Sequence, residues 1–506
     1  MRRQRFVSLT LALLALAAAC HGDDVTGITT TGIELASGRT LTDTITAQPS
    51  VPLLVVVRGT DGSPISGTPV RFETSSLNEP IRIGPWAVLC AEGTAVCGNV
   101  GATNVNGATT LAATTNAQGE ARAVVRLGTF AGNTFLRVTA PAQGMMDSIA
   151  LDIRTGAPAR INFAARDTTV TIGATTTAAA FAADRFYNPR SDLVALAAPC
   201  VGIADLDPVA KHVTARAFGV CWVRATVGGV VDSARVVIVP AGRLLTWSTV
   251  PVLQLVNTDG TTPRRLFGGA SFRSDLGAFP RFNPSRGGIT LHTAAGLTGQ
   301  PITIARGDTA AGTATTLGTT VADPAYAREL ADGTVLFVGR TTGEETHAVW
   351  RLGASGAPAV VRAITDYANT YAAVDISPDG SRIVYVGGVI GGPNVLRIMN
   401  LATGAITELG AVGEAPRWSP DGDRIAYLHG VSAQNVRGGL SEIRVADRAS
   451  RVITERQLLP GFAWSPDGAY VVAGTDAGAV IVRVADGVVV PMRVLSSPFA
   501  REFDWR

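Results

Sequence analysis

Lysine is almost missing from this chain. Lys211 is the single lysine among 43 basic residues in a sequence of 506, which leaves Schiff-base and lysine general-base chemistry one position. Histidine is scarce too: His21, His212, His292, His347 and His429 are the five, and none is paired at metal-ligand spacing. Charged residues make up only 16% and the net charge is +3, too weak a field to gather nucleic acid or an anionic membrane, and no basic run is dense enough to do it locally. The sequence has no Gly-x-Ser-x-Gly elbow, no His-Glu-x-x-His helix and no phosphate-binding Gly-Lys loop. No catalytic residue, metal ligand or cofactor-binding residue is assigned on this reading, and the chain is expected to bind and not to catalyse. After the first twenty residues no stretch approaches eighteen uninterrupted apolar residues, so lipid is the only membrane attachment expected. What is abundant is apolar residues, at 46%, and glycine, at 56. The apolar positions fall in short alternating runs, which predicts an all-β protein of several domains.

The N-terminus reads as an address. Arg2, Arg3 and Arg5 form a basic head, residues 6–16 an apolar core too short to span as a stable helix, and three alanines precede Cys20. The run Leu16-Ala17-Ala18-Ala19-Cys20 resembles the bacterial lipobox, with Ala17 where that family usually has Leu. The resemblance implies that residues 1–19 are a signal peptide, that Cys20 carries the lipid, and that residues 20–34 are a tether. An exported, lipid-anchored protein of the cell envelope is the expectation. His21, where inner-membrane retention signals have Asp, points to the outer membrane. The other four cysteines form two local pairs, Cys90 with Cys97 and Cys200 with Cys221, leaving Cys20 as the odd one and implying an oxidising compartment.

Strand, turn and strand signals recur from residue 35. Residues 53–57, the turn at 60–64 and Pro69-Val70-Arg71-Phe72 form one unit; in 120–127, Ala121, Ala123, Val125 and Leu127 share a face opposite Arg122 and Arg126. Asp-Gly followed by Pro-Val-x-Phe, then the turn at 115–119 and the strand at 134–140, resembles the bacterial Ig-like domains of the invasin and intimin type over 35–155. Residues 75–113 exceed what a hairpin needs, so they are either a recognition loop or an insertion stapled by Cys90 and Cys97, with Trp86 as an anchor for either. Residues 156–240 resemble the second common bacterial Ig-like type, through 170–173, 184–189, 213–219 and 221–227. The Cys200–Cys221 pair near Trp222 is similar to the bridge that Ig sandwiches place beside a buried tryptophan.

From 243 a repeat takes over. Ser377-Pro378-Asp379-Gly380, Ser419-Pro420-Asp421-Gly422 and Ser465-Pro466-Asp467-Gly468 recur at spacings of 42 and 46, with Trp418 and Trp464 before the last two. Weaker copies stand at Leu330-Ala331-Asp332-Gly333 and at 283–287. The chain ends in Phe503-Asp504-Trp505-Arg506, the strand that should precede such a turn, while 243–267 holds later strands without a first. This resembles the six-bladed TolB-like, WD-type propellers over 243–506, and implies two Ig-like sandwiches followed by a propeller closed by the C-terminal strand. Asp332–Gly333, Asp379–Gly380, Asp421–Gly422 and Asp467–Gly468 are read as structural turns, since every blade needs one.

Aligning the first strands on Trp418, Trp464 and Trp505 puts Arg281, Arg328, Asp375, Arg417, Ala463 and Asp504 at the preceding position. Five are charged, and first strands lie innermost in a propeller, so Arg281, Arg328, Asp375, Arg417 and Asp504 are expected at the channel or its mouth, outside the core. They would either pair among the blades and seal the axis or bind a carboxylate-bearing or polar segment of another envelope or extracellular protein. The alternatives are adhesion through the Ig-like units and, as the enzymatic one, a propeller polysaccharide lyase. Cys20→Ser is expected to release the protein from membranes, as read by fractionation and by intact mass of the wild type.

Overall fold

The computed structural model describes residues 32–79, 82–248, 253–267, 280–284, 288–294, 302–318, 321–340, 346–353, 357–366, 374–388, 395–431, 435–492 and 500–506. The export signal and Cys20 lie outside the described residues. Among the described residues the regular secondary structure is β-strand, apart from a single short 3-10 turn at Pro141–Gln143. No helix among them is long and apolar enough to cross a membrane. They divide into two units: one runs to Ala159 and includes 183–190, the other comprises 160–182 and 191–506.

The first unit is a pair of sheets around one core. One holds Gly32–Glu34, Leu53–Arg58, Glu120–Leu127 and Ala87–Cys90; the other holds Thr110–Thr114, Pro69–Thr74, Gly132–Ala140, Met145–Arg154 and Thr40–Thr44. The period-two alternation decides what is buried. In Glu120–Leu127, Ala121, Ala123, Val125 and Leu127 point into a core shared with Val55, Phe72, Val138 and Leu151. On the opposite face Arg122 pairs with Glu92, and the Arg126 guanidinium donates to the carbonyls of Cys97 and Thr46. Thr40–Thr44 runs parallel to Met145–Arg154, from Thr40 opposite Ala150 to Thr44 opposite Arg154, whereas the other pairings within the two sheets are antiparallel.

Residues 75–113 are built and not slack. They contain the hairpin of Ser76–Glu79 with Arg82–Pro85, the sheet strand Ala87–Cys90, and a small ladder of Asn99–Val100 with Val105–Asn106. Cys90 and Cys97 are bonded, with Cα atoms 5.6 Å apart, and Trp86 stands edge-on to Phe130 with ring centroids at 5.9 Å. Residues 183–190 complete this unit. The carboxylate of Asp184 accepts from the amides of Gly156, Phe186 and Asn188, while the Asn188 side chain accepts from Ala131 N–H and donates to Thr129 O. Both side chains are fully buried, so these bonds satisfy polar groups that would otherwise cost about 1–3 kcal/mol each.

The second unit begins with a smaller pair of sheets. Asp167–Thr171, Val230–Val239, Gly219–Val227 and Ala195–Ala197 form one, with Asp167–Thr171 parallel to Val230–Val239; Thr175–Thr177, His212–Ala215 and Ala204–Asp207 form the other. Cys200 is bonded to Cys221 with Cα atoms 5.5 Å apart. Trp222 differs from the expectation of a buried tryptophan. Alternation that turns Cys221 inward turns Trp222 outward, and it is 52% exposed.

Six four-stranded antiparallel sheets come next, each a blade of a β-propeller. Five are consecutive, each with its first strand innermost: Arg281–Phe282, Ala322–Glu329, Val374–Ile376, Glu414–Trp418 and Ala463–Trp464. The remaining sheet joins Arg243–Ser248, Leu253–Asn257 and Arg264–Leu266 to the C-terminal strand Ala500–Trp505. Leu244 lies opposite Trp505, and Arg243 and Arg506 exchange two backbone hydrogen bonds of 2.6 and 2.9 Å.

The repeated turns explain their own sequence. The carboxylate of Asp379 accepts from the Ser377 hydroxyl at 2.5 Å and the Ser381 amide at 3.1 Å; Asp467 does the same with Ser465 and Ala469, and Asp421 with Ser419 and Asp423. Each serine hydroxyl in turn accepts the amide of the next strand's first residue: Arg382, Arg424 and Tyr470. The glycines take φ of 69°, 74° and 65°, in the left-handed region that favours glycine. Burial opposes the charge of Asp379, but its hydrogen bonds to Ser377 and Ser381 prevail and draw its carboxyl down to about 2.

Deleting 501–506 removes the closing strand and with it Trp505, which is 6% exposed. Loss of that side chain's contacts is worth at most about 4–6 kcal/mol and leaves an open blade edge. The truncated chain is expected to melt earlier and to aggregate, as measured by scanning calorimetry with light scattering.

Candidate functional site

The innermost strands bring the charged positions to one end of the propeller axis. Arg281, Arg328, Asp375, Arg417, Ala463 and Asp504 all line a cavity of about 350 Å³. Its wall comes from the neighbouring positions of the same repeat: Trp418, Trp464 and Trp505 one residue further on, then Pro378, Pro420 and Pro466 from the turns. The repeats of Arg281, Arg417 and Ala463 thus each deliver a ring position, an aromatic and a proline, in that order along the chain. Phe462 and Phe503 add apolar surface, and Asn283, Glu329 and Arg506 add polar groups that sequence reasoning passed over. Alignment on the tryptophans marks only the residue before each of them, whereas positions further along some repeats line the mouth as well.

Asp375 is the hub of this ring. Its side chain is nearly inaccessible and lies 2.6 Å from the Arg281 guanidinium, two blades away, and 4.0 Å from that of Arg328. Its second oxygen accepts the Trp418 amide at 2.8 Å. Burial works against its charge, but Arg281, Arg328 and Arg417 outweigh it and hold the carboxyl below its ordinary value. Arg328 also donates to Ile376 O at 2.6 Å, and Arg417 to Pro416 O at 3.1 Å. Burial lowers the Arg328 pKa even though Asp375 opposes the change. Asp504 accepts the Phe282 amide at 2.5 Å, and burial pushes its carboxyl up in spite of Arg281, that amide and Arg328.

Two of these charges do not sit outside the core, as the alternation alone implied, while Arg281, Arg328 and Asp504 are half-buried. Asp375 is 1% exposed and Arg417 is 6% exposed. The physical reason is the width of the axis: inner strands converge so closely that a position facing the channel is still covered by its neighbours from other blades. Pairing between blades accordingly satisfies part of the ring. Two donors of lining residues, Asn283 Nδ2 and Trp505 Nε1, are nevertheless buried without a hydrogen-bond partner. Behind it, the buried Thr290 hydroxyl donates to Asn283 at 2.7 Å, and Arg306 bonds Glu329 at 3.0 Å. His292, on the same strand as Thr290, is 2% exposed; burial first, then Arg281, lowers its pKa to about 4 and keeps it neutral at pH 7.

Among the described residues no group of three or more His, Cys, Asp or Glu side chains could hold a metal ion. His429 lies far along the fifth repeat, between the Ser441 hydroxyl at 2.8 Å and Glu455 at 3.1 Å. Ser441 is 2% exposed, so its hydroxyl is closed to a substrate carbonyl.

Fold and site together define a β-propeller whose axis opens on a cavity with a mixed-charge floor and a wall of tryptophan and proline. No family model and no curated protein matches the chain. Among solved structures, TolB from Acinetobacter baumannii is similar at 15% identity, with 62% of this chain and 82% of that chain covered and a TM-score of 0.41. A putative TolB from Agrobacterium tumefaciens is similar at 17% identity, covering 53% and 98%, with a TM-score of 0.36. An oligogalacturonate lyase in complex with manganese is similar at 11%, covering 53% and 72%, with a TM-score of 0.34. Likenesses this distant assign no role to the chain, whose function has to be argued from its own geometry.

Replacing Asp375 by Asn leaves Arg281 and Arg328 facing a neutral group in a buried site. Breaking such a pair costs about 3–5 kcal/mol, so the propeller is expected to melt markedly earlier at pH 7. Because the folded carboxyl is held below its unfolded value, its contribution is complete above the unfolded pKa and fades as pH falls through the folded one. The gap between wild type and D375N should therefore hold at neutral pH and narrow only below the ordinary carboxylate range, as followed by thermal melts across pH. Asp504, with its carboxyl pushed up, contributes with the opposite sign: at neutral pH it costs stability, and acid relieves that cost.

Proposed function

We propose that the chain is a protein-binding module of the cell envelope, exported, lipid-anchored at Cys20 and residing in the outer membrane, which engages its partner at the propeller mouth. The observation that carries this reading is the convergence of Arg281, Arg328, Arg417, Asp375 and Asp504 beneath a wall of Trp418, Trp464 and Trp505. In the lining, the four guanidiniums of Arg281, Arg328, Arg417 and Arg506 stand against the three carboxylates of Asp375, Asp504 and Glu329, one of them with its pKa raised, which leaves a positive balance. A polar segment bearing a carboxylate offers that set its complement, with its stem against tryptophan and proline. Two disulfides support an oxidising, extracytoplasmic setting.

A second reading, adhesion through the Ig-like units, draws on the first unit. There Phe135 and Met146 are 64% and 69% exposed and line a groove with Glu73, Arg137 and Asp147. Photo-crosslinkers separate the two readings. Placed at Arg506, which is exposed at the mouth, the probe should capture one envelope protein, and Arg281→Gln should weaken that capture at least tenfold in a chain that still melts cooperatively. Placed at Phe135, it should capture nothing specific. The reverse pattern moves the site to the first unit.

A further inference from the structure

Two successive junctions between blades share a clasp, and the next one does not. Arg382, the first residue of the strand after its turn, stacks over Trp418 of the next blade at 4.7 Å and donates to Gly422 O at 3.2 Å. Arg424 does the same one blade on, over Trp464 at 5.0 Å and to Gly468 O at 3.1 Å. The tryptophans answer in kind: Trp418 Nε1 donates to Asp375 O and Trp464 Nε1 to Arg417 O. At the third junction, between the blade of Ala463–Trp464 and the blade that the chain ends close, the equivalent residue is Tyr470, and among the described residues no arginine stacks on Trp505. Trp505 Nε1 is buried without a partner.

Something else covers that junction. Phe218, from the smaller pair of sheets, packs on Tyr470 with ring centroids 5.0 Å apart, and the Arg483 guanidinium lies 5.6 Å over the same Phe218 ring. Phe218, Val237 and Val239 share one buried cluster with residues of both blades, including Val472, Ile481, Leu244 and Trp505. Beyond them Thr258 of the closing blade donates its hydroxyl to Pro240 O at 2.6 Å. The connection is close-fitting: a Cβ on Gly242 would come within 2.2 Å of Trp505 Nε1.

We propose that the β unit of residues 160–182 and 191–240 is an intramolecular latch, docked through Phe218 on the blade junction next in line after the two arginine clasps, where no clasp forms and the latch holds the closing strand Ala500–Trp505 in place. This does not depend on what the mouth binds.

Hydrogen exchange on the full chain tests it. Phe218→Ala should raise amide exchange in 500–505 at least tenfold and leave 382–387, behind an intact clasp, unchanged. Adding Tyr470→Arg to that variant, to rebuild the clasp on Trp505, should restore most of the protection. Unchanged protection of 500–505 in Phe218→Ala overturns the latch. So does an equal loss of protection in both segments, which would report general destabilisation. A double variant no better protected than Phe218→Ala overturns the claim that the latch replaces the clasp.

Discussion

A carboxylate with almost no access to water sits where the propeller's blades converge, and the arrangement around the axis follows from keeping it charged. An isolated ionised carboxylate at that depth would neutralise itself by taking up a proton. Asp375 does not, because arginines from other blades point at it and a backbone amide occupies its second oxygen. The consequence is geometric. Arg281 and Arg328 belong to two different blades, so one charge ties together three sheets. The axis is therefore a small electrostatic lattice, and the cavity above it inherits whatever part of that lattice is left uncompensated.

Much of this was legible in the sequence, and the reasons are local. A turn that needs a left-handed residue shows glycine, and a strand facing a core shows alternation, so the Ser-Pro-Asp-Gly repeats and the alternating strands are visible in the order of residues alone. The split closing blade was readable because 503–506 matches the strand that 243–267 lacks. Cysteine spacing likewise pointed to both disulfides.

What could not be read depends on distance through space. Alternation places Asp375 and Arg417 on the channel side of their strands but does not say how narrow the channel is, and hence that they are buried. The serine in each turn looks like an ordinary turn residue, and only the fold shows its hydroxyl relaying between the aspartate and the next strand's amide. Residues 184–189 read as part of the second β unit's rhythm, yet Asp184 and Asn188 find their partners in the first. Trp222 looked like a core tryptophan beside a bridge. One step of strand pleat was enough to place it outside.

The parallel pairings of terminal strands matter in a further respect, as mechanics. In the first unit the chain passes from Gly32–Glu34 into Thr40–Thr44, and the unit's last long strand, Met145–Arg154, lies beside Thr40–Thr44 in the same direction. In the second, Asp167–Thr171 and Val230–Val239 repeat the arrangement. Tension applied to the two ends of such a pair pulls the strands lengthwise past each other, so all of the hydrogen bonds in the register are loaded together instead of one after another. A chain drawn taut from its N-terminus would load two such shear joints in series with the propeller, and their resistance would set how much tension the chain bears before a unit opens.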